Sequence, residues 1–265
     1  MDGKKKKFHE QSEHPTYLDI QAEVGITKHY GGYGASENLY KLCHLDTAEE
    51  VLDVGCGVGI GAIHIAKLYG CRVMAVDLSE TMLEWAEKRV NRSGFNNLIK
   101  LKQADILKLP FEDNRYDTVI VESVLAFVED KQKAIQEIIR VTKPGKYIGI
   151  NESFWRDSVP AEVTEKSVYD TIDIALESEL EELWDKSPLI EKTIKTFSLD
   201  AKQELLDRFK WIGCSGLLSA WARVIKLVLT RKDAREAIRQ QLDIPDDTVE
   251  NYGYGLYVGR KKKNI

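Results

Sequence analysis

The chain has 265 residues, of which 43% are hydrophobic and 31% are charged. This length allows one buried core with accessory helices, and the composition is typical of a globular protein and too apolar for a disordered one. The net charge of −5 disfavours a general nucleic-acid surface, and the four dispersed cysteines form no CxxC pair, which disfavours a zinc site or a disulfide framework.

Basic residues cluster at positions 4–7 and 260–263, and we interpret both clusters as solvated tails. No apolar run follows the first cluster, and the apolar stretch 216–230 is interrupted by Arg223 and Lys226 and is too short to span a bilayer. We therefore expect a soluble, cytoplasmic protein with no stable membrane insertion, no nucleic-acid partner and no bound metal.

Strand-like and helix-like runs alternate from residue 50 to residue 152. This alternation is typical of a parallel sheet with helices on both faces, and right-handed crossovers make such a sheet doubly wound. The intervening helices are predicted to end at Gly70, at Gly94 and before Pro144-Gly145. The predicted strands are Val51–Val54, Arg72–Val76, Leu98–Gln103, Thr118–Val121 and Tyr147–Ile150.

The regions around this core are predicted to be mixed or helical. A helix is expected after Gly34-Ala35-Ser36, a short strand near residues 193–197 and a last strand at Tyr252–Val258. The predicted fold is α/β, with a doubly wound, mostly parallel, seven-stranded Rossmann-like sheet. We divide the chain into an N-terminal lid (1–40), a core (41–152), a mainly helical cap (153–250) and a final strand with a basic tail (251–265).

The first predicted strand runs into a glycine-rich turn, DVGCGVGIG, at residues 53–61. Glycines allow a tight turn and a close ligand, and the helix N-terminus beyond attracts an anionic group. A dinucleotide-binding turn would have glycine in place of Ile60, and Asp53 would repel a pyrophosphate. Nor does the turn end in GK[ST], as a P-loop would. A ligand with an amino group beside its carboxylate fits both Ile60 and Asp53.

The turn resembles motif I of class I S-adenosylmethionine-dependent methyltransferases, particularly the type 11 branch that is similar to ubiquinone and menaquinone biosynthesis methyltransferases. The resemblance covers about residues 28–152 and is carried by several motifs in order. After the turn come Asp77 at the end of the second strand, Ala104-Asp105-Ile106, Leu109-Pro110-Phe111 with Asp113 and Tyr116-Asp117, and Val121-Glu122-Ser123.

The resemblance implies S-adenosylmethionine as the cofactor. Asp77 would accept hydrogen bonds from the ribose hydroxyls and Asp105 from the adenine amino group, although either residue taken alone is equally a helix N-cap. We expect Cys56 to make only a backbone contact. The predicted cofactor-binding residues are Tyr30, Asp53, Gly55, Cys56, Gly57, Gly59, Asp77, Leu78, Asp105, Ile106 and Glu122.

Two residues are candidates for catalysis. His29 lies in a Gly-rich segment that resembles the family's lid and is our candidate general base, with a solvated loop histidine as the alternative. Glu122 is expected to orient or deprotonate the acceptor, or to contact the cofactor through its backbone. The predicted acceptor contacts are Tyr33, Ser123, Phe127, Trp155, Trp211 and Trp221.

The predicted function is methyl transfer by in-line displacement to a small-molecule acceptor. Nitrogen is slightly favoured, because an amine needs no base beyond solvent and the sequence shows no compelling base. The N/DPPY motif for planar amines is absent at residues 121–124, which disfavours a nucleobase acceptor. A non-catalytic S-adenosylmethionine-binding or partner-binding protein is the alternative, and Asp53 and Ile60 disfavour a nicotinamide oxidoreductase. The apolar helix face between residues 217 and 228 is expected to pack in the core, with an acceptor pocket or a homodimer face as alternatives.

Overall fold

A computed structural model describes residues 17–25, 29–166, 172–199, 218–232, 234–235 and 250–263. Its centre is a seven-stranded sheet in the order β3-β2-β1-β4-β5-β7-β6. The strands are β1 Glu50–Val54, β2 Arg72–Asp77, β3 Ile99–Gln103, β4 Tyr116–Glu122, β5 Thr142–Trp155, β6 Ile190–Ser198 and β7 Tyr252–Arg260. The helices are α1 Tyr17–Val24, α2 Gly32–Leu42, α3 Ile60–Tyr69, α4 Glu80–Ser93, α5 Lys131–Val141, α6 Ala161–Lys166, α7 Glu177–Asp185 and α8 at residues 218–230.

Strands β1 to β5 pair in parallel, and β7 runs antiparallel between β5 and β6. One face of the sheet is covered by buried residues of α5 and α7, and the opposite face by α2 and α3. The prediction of a doubly wound, mostly parallel, seven-stranded sheet is therefore confirmed. None of the described helices is long and apolar enough to cross a bilayer.

Local signals explain most helix ends in the core. Helix α3 ends at Gly70 and α4 at Gly94, both in the left-handed conformation that glycine adopts without strain. Ser79 caps α4 by accepting a hydrogen bond from the Met82 N–H, and Asp130 caps α5 in the same way.

The end of α5 differs from the prediction. The helix ends at Val141, because Thr142 is already extended, and β5 starts there and includes Pro144-Gly145. Lys143 precedes a proline, which disfavours helical dihedrals, and the β4–β5 register shifts at this place. Pro144 thus lies in an irregular part of a strand rather than between a helix and a strand.

The region assigned to a mainly helical cap also belongs partly to the sheet. Residues 153–155 complete β5, and the short strand expected near residues 193–197 is the nine-residue edge strand β6. Helix α7 packs on the sheet through buried Leu180 and Trp184. The role of this region as a substrate cap stays a prediction.

Candidate functional site

A buried carboxylate joins the N-terminal segment to the carboxyl ends of the strands. Glu122, the last residue of β4, accepts hydrogen bonds from Ser36 Oγ (2.8 Å) and Tyr40 Oη (2.9 Å), which lie one turn apart on α2. Burial and the charge of Glu122 raise the pKa of Tyr40, so this phenol stays protonated as a donor. Helix α2 is thereby fixed above the end of β4.

His29 lies against the same carboxylate. Its Nδ1 is 3.5 Å from Glu122 Oε2, and both side chains are only 10% exposed. Its Nε2 is 3.3 Å from Ser36 Oγ, which is long for a hydrogen bond. The structure therefore brings the two candidate catalytic residues together, and it excludes the alternative of a solvated loop histidine.

Asn151 holds the segment that carries His29. It pairs with Glu122 across β4 and β5, is fully buried, and donates from Nδ2 to the Tyr30 carbonyl (3.0 Å). The backbone beside His29 is thus attached to β5, while the imidazole is attached to β4 through Glu122.

Asp53 in β1 is a second buried acid next to this network. Burial and then the charges of Glu122 and Asp77 raise its pKa to about 8. Its Oδ2 is buried and has no hydrogen-bond partner among the described residues. An unsatisfied buried acceptor costs free energy, so this carboxyl is suited to a cationic or N–H-bearing ligand.

The glycine turn has room for backbone only. Gly55 and Gly59 have φ values of 72° and 80°, and a Cβ would lie 2.3 Å from Val124 Cγ2 at the first and 2.9 Å from Ala86 Cβ at the second. Burial raises the pKa of the Cys56 thiol, which fits a packed residue rather than a nucleophile.

Asp77 links the turn to the end of β2. Its Oδ2 accepts from the Gly57 N–H (2.8 Å) and its Oδ1 from the Ser79 N–H (2.9 Å). Burial raises its pKa even though these N–H groups favour the charged form. The carboxylate therefore lies directly beside the glycine turn, as the order of motifs predicts.

The residues predicted to surround an adenine follow β2 and β3. Asp105 accepts from the Leu107 N–H (2.8 Å), which shapes the turn after β3. Ile106 is buried, whereas Leu78 is 50% exposed. The structure thus places these three residues after neighbouring strands on the edge where β1 also ends.

Two tyrosines that follow His29 in the chain make aromatic contacts. Tyr30 contacts Tyr252 with ring centroids 5.1 Å apart, and Tyr252 contacts Trp155 at 4.8 Å. Tyr33 lies against His64 of α3 at 4.3 Å. Tyr252 and His64 were not among the predicted site residues.

The other predicted acceptor contacts lie in different environments or outside the described residues. Ser123 has a positive φ of 56° and a buried Oγ without a partner among the described residues, and Phe127 lies in the 3-10 turn Leu125–Phe127. Trp211 lies outside the described residues. Trp221 is 59% exposed on α8, so the structure does not give it the enclosed position expected of an acceptor contact.

Glu152 is another acid near this edge of the sheet and is also buried. It lies inside β5, is 2% exposed and accepts from the backbone N–H groups of Val124 and Leu125. Burial raises its pKa to about 6. Its role here is to fix the start of the 3-10 turn after β4.

Sequence reasoning missed Ser36, Tyr40 and Asn151. Ser36 and Tyr40 are four residues apart in the predicted helix, so their shared face was a usable signal. Asn151 is a polar residue directly after the apolar run 147–150, which signals a buried hydrogen bond. Ser36 and Tyr40 bind Glu122, and Asn151 binds the Tyr30 carbonyl. These are tertiary contacts, which the periodicity of the sequence does not show.

Helix α1 is held beside the glycine turn. Ala22 packs with Val58 of the turn and Met82 of α4. Carbonyl oxygens at the end of α1 accept hydrogen bonds from Trp85 Nε1 (2.8 Å), Arg89 Nη2 (2.7 Å) and Arg223 Nε (2.6 Å). Cationic groups are favourable at a helix C-terminus, so α1 is fixed by both α4 and α8.

Comparison with known proteins identifies the central part of the chain. Residues 52–150 match the methyltransferase domain family, whose members use S-adenosylmethionine. The chain is 34% identical over 113 residues to norajmaline N-methyltransferase of Rauvolfia serpentina, covering 43% of this chain and 39% of that protein. It is 32% identical over 122 residues to demethylmenaquinone methyltransferase of Lactobacillus johnsonii, covering 45% and 50%. The chain thus spans at most about half the length of these relatives.

A solved structure extends the likeness of the fold beyond this domain. The [4+2]-cyclase SpnF superposes with a TM-score of 0.67 at 18% identity, covering 96% of this chain and 88% of that chain. At this identity the likeness concerns the fold alone.

The raised pKa of Asp53 predicts a pH-dependent stability. The folded protein keeps this proton up to about pH 8, whereas the unfolded chain loses it near the ordinary value of 3.8, so ionising Asp53 destabilises the folded state increasingly as pH rises toward 8. We expect Asp53→Asn to stabilise the ligand-free protein at pH 8.5 by roughly 1–4 kcal/mol, and to have little effect at pH 4. Urea unfolding at both pH values measures this difference.

Glu137→Gln is the control, because the pKa of Glu137 is shifted in the opposite direction to that of Asp53. The Arg140 hydrogen bond lowers the pKa of Glu137, so its contribution to stability is present above the unfolded pKa and lost as pH falls through the folded value. An Asp53→Asn effect that is equal at pH 4 and pH 8.5 would contradict a raised pKa.

Proposed function

We propose that this chain, whose residues 52–150 form a methyltransferase domain, is an S-adenosylmethionine-dependent methyltransferase that acts on a small molecule. The single observation that carries the proposal is the buried Asp53 carboxyl with its unsatisfied Oδ2 beside the glycine turn. A cationic amino group satisfies that oxygen, whereas a pyrophosphate there would add like charge.

The chain has residues suited to each part of the cofactor. Asp53 and the backbone of the turn would hold the amino-acid portion, and a Cβ at Gly55 or Gly59 would collide with Val124 or Ala86 and displace that backbone. Asp77 would hold the ribose. Leu78, Asp105 and Ile106 would hold the adenine, and Tyr30 would cover the cofactor from the lid.

When bound, S-adenosylmethionine supplies an electrophilic methyl group on a cationic sulfur. The contribution of the protein is alignment, which can lower a barrier by about 7–11 kcal/mol at most. Glu122 Oε2 lies 3.5 Å from His29 Nδ1 and Ser36 Oγ lies 3.3 Å from Nε2, so the imidazole is next to the carboxylate that would stabilise its protonated form. His29 would take the acceptor proton, and Glu122 would stabilise the imidazolium.

A nitrogen acceptor fits the charges around this network. Glu122 and Asp53 are both acidic, and after burial the charges of Glu122 and Asp77 raise the pKa of Asp53. A protonated amine would be attracted to these acids and would need to lose only one proton before reaction. The similarity to an N-methyltransferase of Rauvolfia serpentina supports the same class.

A protein that binds the cofactor without transferring its methyl group is the second candidate. The structural similarity to a protein named as a [4+2]-cyclase keeps this candidate open, since fold does not fix function. Homodimerisation through the C-terminal helices and a cytoplasmic location stay predictions.

Acceptor-dependent product formation tests the function. The protein is incubated with S-adenosylmethionine and fractionated metabolite pools, and mass spectrometry follows S-adenosylhomocysteine and any compound that gains a methyl mass. We expect both signals together in at least one amine-containing fraction. Cofactor binding by calorimetry without either signal in any fraction would favour the non-catalytic candidate.

The ribose assignment predicts a specific loss of affinity. Asp77→Ala should weaken S-adenosylmethionine binding by about 10- to 100-fold, because charge-assisted hydrogen bonds worth about 1.5–3 kcal/mol are removed. Isothermal calorimetry measures the affinity, and Asp46→Ala, an exposed aspartate before β1, serves as the matched control. Unchanged affinity in Asp77→Ala would remove this assignment.

The proposed base predicts a pH-dependent rate. His29→Asn should lower kcat by about 100-fold near neutral pH with little change in cofactor affinity, since a positioned base contributes about 10²–10⁴-fold. For an amine acceptor the deficit should shrink as pH rises above the pKa of the amine. His44→Asn, at an exposed histidine that packs on Tyr147, is the control. A deficit that is constant with pH would assign His29 to positioning alone.

A further inference from the structure

Helix α8 presents its large apolar side chains to solvent. Leu218, Trp221, Ile225 and Leu229 are 72%, 59%, 54% and 75% exposed. They are three or four residues apart and therefore form one line along the helix, which we call the outer stripe. The apolar face predicted to pack in the core is divided in the structure, because Leu218, Trp221 and Ile225 are exposed whereas Val224 packs against α1.

The inner face of α8 fixes this orientation. Small and aliphatic residues, Ala220, Val224 and Leu227, pack against Ile20 and Val24 of α1. Polar contacts add to this packing. The Arg223 guanidinium lies 4.8 Å from the centre of the Trp85 ring, and Arg231 Nη1 pairs with Glu23 of α1 at 2.5 Å. Turning the outer stripe inward would break all of these contacts.

Positive charge accompanies the outer stripe. Residues 218–235 contain basic side chains at 223, 226, 231, 232 and 235 and a single acidic residue, although the whole chain has more acidic than basic residues. Lys226, Lys232 and Arg235 are exposed. A helix with a Trp- and Leu-bearing face and adjacent lysines and arginines is typical of one that lies in a membrane interface.

We infer that the outer stripe docks on the surface of an anionic lipid bilayer. The helix would lie in the plane of the interface, with Trp221 and its aliphatic neighbours at the boundary of headgroups and acyl chains. The exposed cations would face the lipid phosphates and carboxylates. None of the described helices crosses a bilayer, so the association is peripheral.

The positive charge beside the outer stripe favours a bilayer over a second copy of the chain as its partner. A twofold contact brings the same surface patch of both copies together, so the exposed cations Lys226, Lys232 and Arg235 of both copies would be gathered in one interface. Like charges at close range are unfavourable. An anionic bilayer offers the complementary charge together with an apolar layer for the outer stripe.

Vesicle flotation tests the inference independently of methyl transfer. The full chain is mixed with phosphatidylcholine vesicles, with or without phosphatidylserine, at low and high salt. We expect binding to the anionic vesicles that weakens with salt. The double variant Trp221→Ser/Ile225→Ser should bind at least about tenfold more weakly, because two large apolar groups no longer enter the interface.

Two further variants make the test specific. Leu68→Ser changes a 46% exposed leucine on α3 outside the outer stripe and should leave flotation unchanged. Lys226→Glu/Lys232→Glu should abolish the preference for anionic vesicles. Circular dichroism and cofactor affinity confirm that each variant is folded.

The inference is overturned by any of three results. These are absence of the wild-type protein from floated anionic vesicles, equal flotation of wild type and Trp221→Ser/Ile225→Ser, and a concentration-dependent dimer that is lost in this double variant. The last result assigns the outer stripe to a second copy of the chain.

Discussion

The hydrogen bonds to the Glu122 carboxylate determine how the site is closed. Strand β4 delivers this carboxylate to the edge of the sheet, and Ser36 and Tyr40 bring helix α2 to it. Hydrogen bonds to a charged group are worth about 1.5–3 kcal/mol each, and removing one partner would leave buried polar atoms unsatisfied. The position of His29 follows, because its imidazole lies between the same carboxylate and the same serine. The segment before the first strand is thus part of the site.

Glu122 also raises the cost of ionising Asp53 in the absence of a ligand. Asp53 is buried with Glu122 and Asp77 nearby, and its pKa reflects first the loss of water and then these two charges. A carboxyl that is neutral when the protein is free can ionise when a cation arrives, so binding of a cationic ligand would be coupled to loss of a proton. Burial and the charges of Glu122 and Asp77 thus explain both why an ionised Asp53 is unfavourable in the ligand-free protein and why the site prefers a positively charged ligand.

Much of the fold could be predicted because its signals are local. Alternating apolar runs gave the order of the core elements, and Gly70, Gly94 and Ser79 gave helix ends that the structure confirms. The errors arise where tertiary contacts override local preference. Pro144 was read as a helix stop, yet it lies in an irregular part of β5, because the strand pairs with β4 before and after it.

In the candidate site, too, local signals could be predicted from the sequence and tertiary contacts could not. Asp53, Asp77 and Asp105 could be placed from motif spacing, since strand ends of a parallel sheet meet on one edge. The pairing of His29 with Glu122 could not, because their contact joins residues far apart in sequence. The position of Trp221 differs from the prediction, because helical periodicity shows that a face is apolar but not which side of the helix packs on its neighbour, here α1.

The hydrogen bond from Arg223 to the end of α1 joins residues that are 199 positions apart in the sequence. During synthesis this contact cannot form until residue 223 has been made, so α1 is fully anchored only after the segment that carries α8 is available. Shortened chains that stop before residue 223 would lack this hydrogen bond and also strand β7, which pairs between β5 and β6. Such chains are unsuitable substitutes for the full protein in measurements of ligand exchange.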